Sequence, residues 1–191
     1  MNKQARGRAA ALATTLTLAL ASTAAMAHPQ AGGGHTHGFL DGFIHPFTGL
    51  DHLLAMLAVG IWSVRQSNPR WLRAVFIGMV MVGMASGAAG LAIPGLEAGI
   101  AATVVLMGVL IAAAARLPAA MAAVMVGAFA LLHGNAHGHE LPQAASAVGL
   151  LLASSMLVVG GSVLGRVGPA LALKLSGAAI AAAGVMLVAA V

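Results

Sequence analysis

The 191-residue chain contains no cysteine, only 7% charged residues and only four acidic ones. Without cysteine there can be no disulfide, no thiolate metal site and no thiol nucleophile, which leaves His, Asp, Glu and Met as metal ligands. So little charge excludes a soluble domain of this size, because a water-exposed surface needs several times more. With 60% hydrophobic residues the bulk of the chain has lipid as its solvent. There is no G-x-x-x-x-G-K-[ST] loop to cradle a nucleotide and no H-E-x-x-H helix. The nine Lys and Arg give a net charge of +5 but sit singly or in short turns between apolar runs. They form no patch for nucleic acid, so the expected partner is the lipid bilayer, and the positive balance reads as a topology signal.

What the chain does have begins with a secretory signal. Lys3, Arg6 and Arg8 precede an apolar stretch, and Ala25-Met26-Ala27 matches the small-x-small cleavage pattern. Residues 1–27 are therefore expected to be removed, leaving a short flexible periplasmic segment, 28–44, that carries His28, His35 and His37. The remainder, 45–191, is expected to be an all-α transport domain of about six transmembrane helices. The apolar runs are His45–Val64, Trp71–Ile93, Ala98–Ala115, Leu117–His133, Leu141–Leu164 and Pro169–Val191. These lengths suit a hydrocarbon core of about 30 Å, and helices satisfy their own backbone there. Arg65, Arg70, Arg73, Arg116 and Arg166 fall in or beside the first, third and fifth connections, while the other two connections hold no Lys or Arg. The positive-inside rule puts those three turns in the cytoplasm and both mature termini outside, at a bacterial inner membrane. Gly83-x-x-x-Gly87, Gly95-x-x-x-Gly99 and Gly161-x-x-x-Gly165 are candidates for close helix packing.

Three of the four acidic residues travel with histidines. Asp51 belongs to His45-Pro46-Phe47-Thr48-Gly49-Leu50-Asp51-His52, with Asp41 just ahead. Glu140 closes His133-Gly134-Asn135-Ala136-His137-Gly138-His139-Glu140, the second cluster. A carboxylate at membrane depth costs on the order of 3 kcal/mol, so it normally faces the bundle interior with a partner. Imidazole plus carboxylate is a ligand set for Ni, Co, Zn, Cu or Fe(II). Under the expected topology both clusters fall in the outer half of the membrane, so His52 is expected close to His133 or His137. His45 and His52, seven residues apart, stand about 10 Å apart along an unbroken helix. Either Pro46 and Gly49 bend His45 inward, or His45 is a separate outer ligand. His133 and His137 are spaced i, i+4 and can chelate together. Met56 lies one turn past His52; most of the other methionines read as core.

These two motifs, extended through Leu53-Leu54-Ala55-Met56-Leu57-Ala58-Val59-Gly60, resemble those of the HupE/UreJ family of nickel and cobalt permeases. The resemblance covers the whole layout of signal segment and compact membrane domain. It implies that the chain moves Ni2+, or Co2+, as substrate toward hydrogenase or urease maturation, without a resident cofactor or a nucleotide. The positions it carries over as metal ligands are His45, Asp51, His52, Met56, His133, His137 and Glu140, with His139 at a variable place in the motif. The expected function is thus a secondary or facilitated transporter and not an enzyme. A membrane metallohydrolase or a metal-sensing accessory protein would use the same residue types, and metal flux into sealed vesicles separates them. The ligand set suits Ni, Co and Zn alike, and no feature sets an oligomeric state.

Overall fold

The computed structural model describes residues 38–191, so the expected signal sequence and His28, His35 and His37 lie outside the described residues. Within 38–191 the chain is entirely helical, with no strand: α1 Phe39–Thr48, α2 Leu50–Ser63, α3 Pro69–Ala88, α4 Leu96–Ala112, α5 Ala119–Glu140, α6 Ala144–Val167 and α7 Ala170–Val188. Four of them, α3, α5, α6 and α7, are each long and apolar enough to cross a membrane. The expected first span is instead two helices, α1 and α2, that pass the same test only together and are bent by 82° at their junction. Helix α1 starts at Phe39, where an irregular segment was expected to run to residue 44. The expected third span is α4, apolar but only 17 residues; at 1.5 Å per residue it covers about 26 Å, short of a full hydrocarbon core.

The break has a local cause. Pro46, inside α1, has no N–H to continue the ladder, and Gly49 leaves helical geometry with φ −87° and ψ 115°. The carbonyl of His45, freed at this end, accepts from the Thr48 hydroxyl at 2.8 Å and only weakly, at 3.4 Å, from the Gly49 N–H. Asp41 sits in the first turn of α1, where its carboxylate accepts the Gly38 N–H at 2.8 Å. This acidic residue caps a helix. At the other turn-helix boundary, Asn68 caps α3 by accepting from the Trp71 N–H at 3.3 Å, with Pro69 in the first helical position.

Helices pair chiefly as α3 with α5, α2 with α6 and α4 with α7, while α1 lies on α6. Glycine sets these approaches. A Cβ on Gly83 or Gly87 of α3 would run into the backbone of Leu131, Gly134 and Asn135 or of Asn135, Gly138 and His139 on α5. A Cβ on Gly134 or Gly138 would in turn strike the carbonyls of Val80 and Met84. The α2–α6 contact repeats this with Gly60 against Val158 and Gly161, and Gly161 and Gly165 against Leu57 and Ile61. Of the three expected packing motifs, Gly83/Gly87 and Gly161/Gly165 act as such. Gly95 and Gly99 do not: Gly95 has φ +69° and open space around its Cβ position, and Gly99 meets only Leu132 at 3.4 Å. Inside, Trp62, Phe76, Met56, Met107 and Leu150 are fully buried. Outside, large apolar side chains such as Val124, Val167, Leu171 and Leu175 are exposed on α5, α6 and α7. An outer surface of that kind is at rest only against hydrocarbon.

Candidate metal centre

Helix α5 does not end at His133 but runs on to Glu140, so His133, His137 and Glu140 lie on regular helix and Asn135 is inside it, fully buried. The interlock of Gly134 and Gly138 with α3 fixes one face of α5; the histidines, each one residue earlier, project from an adjacent face. Opposite them, the bend at Gly49 folds the end of α1 back over the start of α2. His45 and His52 therefore come to 6.1 Å between ring centroids, which a straight helix would not allow. This is the first of the two arrangements open to His45, an imidazole turned inward.

The two motifs meet. His52 lies 4.1 Å from His137 and 5.3 Å from His133, centroid to centroid, and His45 lies 5.0 Å from His137. His45 Nε2–H donates to Glu140 Oε2 at 2.9 Å, and His137 Nδ1 stands 3.6 Å from the same oxygen. One ligand atom from each of His45, His52, His137 and Glu140 falls within 4.8 Å of the others. Metal–nitrogen bonds are about 2 Å, so ligands on one ion are at most about 4 Å apart. Movements below an ångström would bring all four onto a common cation.

The other candidate positions stand around this quartet. His133 is fully buried; its Nδ1–H donates to the Phe129 carbonyl at 2.9 Å, which leaves Nε2 as a lone-pair acceptor with no hydrogen-bond partner. That is how proteins commonly hold a ligating imidazole in one tautomer. Asp51 is outside the quartet. Its Oδ1 accepts the His52 backbone N–H at 2.9 Å and its Oδ2 lies 3.4 Å from His52 Nδ1, so it orients His52. Met56 is fully buried in the apolar core one turn beyond His52. His139, exposed, gives its Nε2–H to the Leu91 carbonyl at 3.1 Å and so points away from the quartet, toward the end of α3. Asn135 reaches the same carbonyl and Ser86, both at 2.9 Å, tying α5 to α3 behind the histidines. The sequence reading missed this tie and the glycines Gly134 and Gly138. Their i, i+4 spacing was legible, but it lay in a stretch rich in turn-forming residues.

Residues 16–187 match the family described as HupE / UreJ protein. The chain belongs to the HupE/UreJ family. A curated relative, Protein HupE of Rhizobium leguminosarum bv. viciae, is 39% identical over an alignment of 184 residues that covers 91% of this chain and 95% of the relative. No solved structure matches the chain significantly. Like its apolar helices, its place among the HupE/UreJ proteins marks it as a multi-pass membrane protein.

Proposed function

We propose that this protein is a secondary or facilitated transporter of a divalent transition metal, nickel or also cobalt, across the bacterial inner membrane, supplying hydrogenase or urease maturation. The observation that carries the reading is the quartet His45, His52, His137 and Glu140, with ligand atoms within 4.8 Å, brought together by a broken helix from two distant stretches of the chain. Three imidazoles and one carboxylate suit a first-row divalent ion. Only one carboxylate belongs to the set, and it is 36% exposed at its side chain. A partly open, multi-ligand site can release its ion, which transport requires and a closed structural site forbids. The membership in the HupE/UreJ family points the same way. In this reading the chain makes six crossings, α1 with α2 forming the first and α4 the third, with the histidine end periplasmic and the arginine-bearing turns cytoplasmic.

The deciding experiment is uptake of radiolabelled nickel into sealed vesicles containing only this protein, with cobalt and zinc as competitors. Saturable uptake that cobalt reduces supports the proposal. Stoichiometric binding without accumulation would sink it in favour of a sensor or accessory role.

A further inference from the structure

At the end of the bundle opposite the histidines an open cleft of about 540 Å³ is lined by Arg65, Gln66, Ser67, Arg116, Leu117 and Arg166, among others. The three arginines come from three separate parts of the chain: the connection after α2, the connection between α4 and α5, and the last turn of α6. Their meeting is built. Trp62 Nε1–H and Gln66 Nε2–H both donate to the Ala115 carbonyl, at 2.9 and 3.2 Å, and Gln66 Oε1 accepts the Leu117 N–H at 3.1 Å. Arg116 is thus pinned on both sides to the end of α2 that carries Arg65. Ala114, just before this strap, is held at φ +51°, a left-handed conformation that costs a non-glycine residue about 1 kcal/mol. Arg166 is delivered by Gly165, whose bare Cα lets α6 press against Ile61 and Val64 of α2.

Among the described residues no acidic side chain stands at this end to balance these charges. Asp41, Asp51 and Glu140 belong to the histidine end, and Glu97 opens α4 whereas Arg116 follows its close. No ion pair joins Arg65, Arg116 or Arg166 to a carboxylate among the described residues. A rule that merely biases arginines to one side of a membrane requires them in these turns but not in one cleft. Three guanidinium groups gathered without a counter-charge repel one another, and the planar fork of arginine matches phosphate oxygens two at a time. Leu164 and Val167, flanking Arg166, and Leu171 beyond it are exposed apolar side chains, so hydrocarbon can lie along the rim.

We infer that this cleft is a binding site for a phosphate-bearing anion, supplied either by an anionic lipid headgroup or by a soluble phosphate. The test is thermal unfolding of the purified full chain in phosphatidylcholine nanodiscs at constant ionic strength. Phosphatidylglycerol is added in one arm, inorganic phosphate in a second and chloride alone in a third. A rise in melting temperature with phosphatidylglycerol assigns the site to a lipid, and a rise with inorganic phosphate assigns it to the soluble anion. No rise in either arm, or an equal rise with chloride, overturns the inference. In Arg116→Gln the half-saturating concentration should increase by about tenfold, the loss expected for one charged hydrogen-bonding group. Arg116→Lys, which keeps the charge and the fold but not the fork, should fall in between. Wild-type half-saturation in both variants also overturns it.

Discussion

Both ring nitrogens of His137 are buried and neither has a hydrogen-bond partner among the described residues, although Nδ1 lies 3.6 Å from Glu140. A buried polar atom left in that condition costs about 1–3 kcal/mol. A cation taking a lone pair there would recover part of that cost, so His137 is the residue on which metal affinity should depend most. We expect His137→Gln to abolish nickel uptake at normal membrane abundance. His139→Gln should leave uptake near wild type, because His139 serves the Leu91 carbonyl. Equal uptake in the two variants would remove His137 from the site. Asp51 accepts the backbone N–H of His52 and stands beside its Nδ1. An outer partner of this kind is worth about ten- to a hundredfold in metal affinity. Asp51→Asn, which keeps an acceptor oxygen and loses the charge, should weaken nickel binding by that factor in equilibrium dialysis. Unchanged binding would mean that the carboxylate matters only for the shape of the helix start.

For the helices, the α3–α5 pair offers the sharpest comparison, since its separation is set by four glycines. An alanine at Gly134 would put a methyl group into the Val80 carbonyl and force the helices apart, whereas Gly78 and Gly160 face open space. Gly134→Ala should destabilise the protein by about 1–3 kcal/mol, the usual range for overpacking. Gly78→Ala should be neutral or slightly stabilising, as alanine favours helix by about 1 kcal/mol over glycine. Melting curves in detergent measure both. The same glycines explain where the sequence was legible and where it was not. Long apolar runs revealed most of the helices, because hydropathy reports burial in lipid directly. The end of α5 was misread because Gly134, Asn135 and Gly138 are turn formers by propensity, yet here α3 covers them. Hydropathy cannot tell a glycine that breaks a helix from one that lets two helices touch. Gly95 and Gly99 show the converse, a correct spacing with no neighbouring backbone packed against it. The convergence of the two histidine motifs, by contrast, followed from topology alone. The placement of Asp51 as an orienting neighbour did not, because it depends on how the chain turns at Gly49.

At the level of the whole molecule, a ligand that binds only the folded bundle stabilises it in proportion to its occupancy. Nickel at about a hundred times its dissociation constant should add roughly 2.7 kcal/mol. The melting temperature should rise accordingly with nickel and fall back with a chelator, and His137→Gln should show neither change. The pairing pattern that frames the site has a property of its own. Exchange Leu57, Gly60 and Ile61 of α2 with Leu131, Gly134 and Asn135 of α5, and at the same time Gly161 and Gly165 of α6 with Gly83 and Gly87 of α3. The α2–α6 contacts then become the α3–α5 contacts. Gly108 against Ala181 and Gly177 against Ala112, between α4 and α7, map onto each other in the same way. Such an exchange turns the bundle end over end, as in inverted repeats. Carried through the same register, it sends His52 to Val126 and His133 and His137 to Val59 and Ser63, whose hydroxyl is already given to Gly60. The glycine contacts of these six helices are therefore nearly indifferent to which end is which, while the side chains and the extra helix α1 are not. The paired helices draw the same frame at both ends, and among the described residues the histidine quartet occupies only one of them.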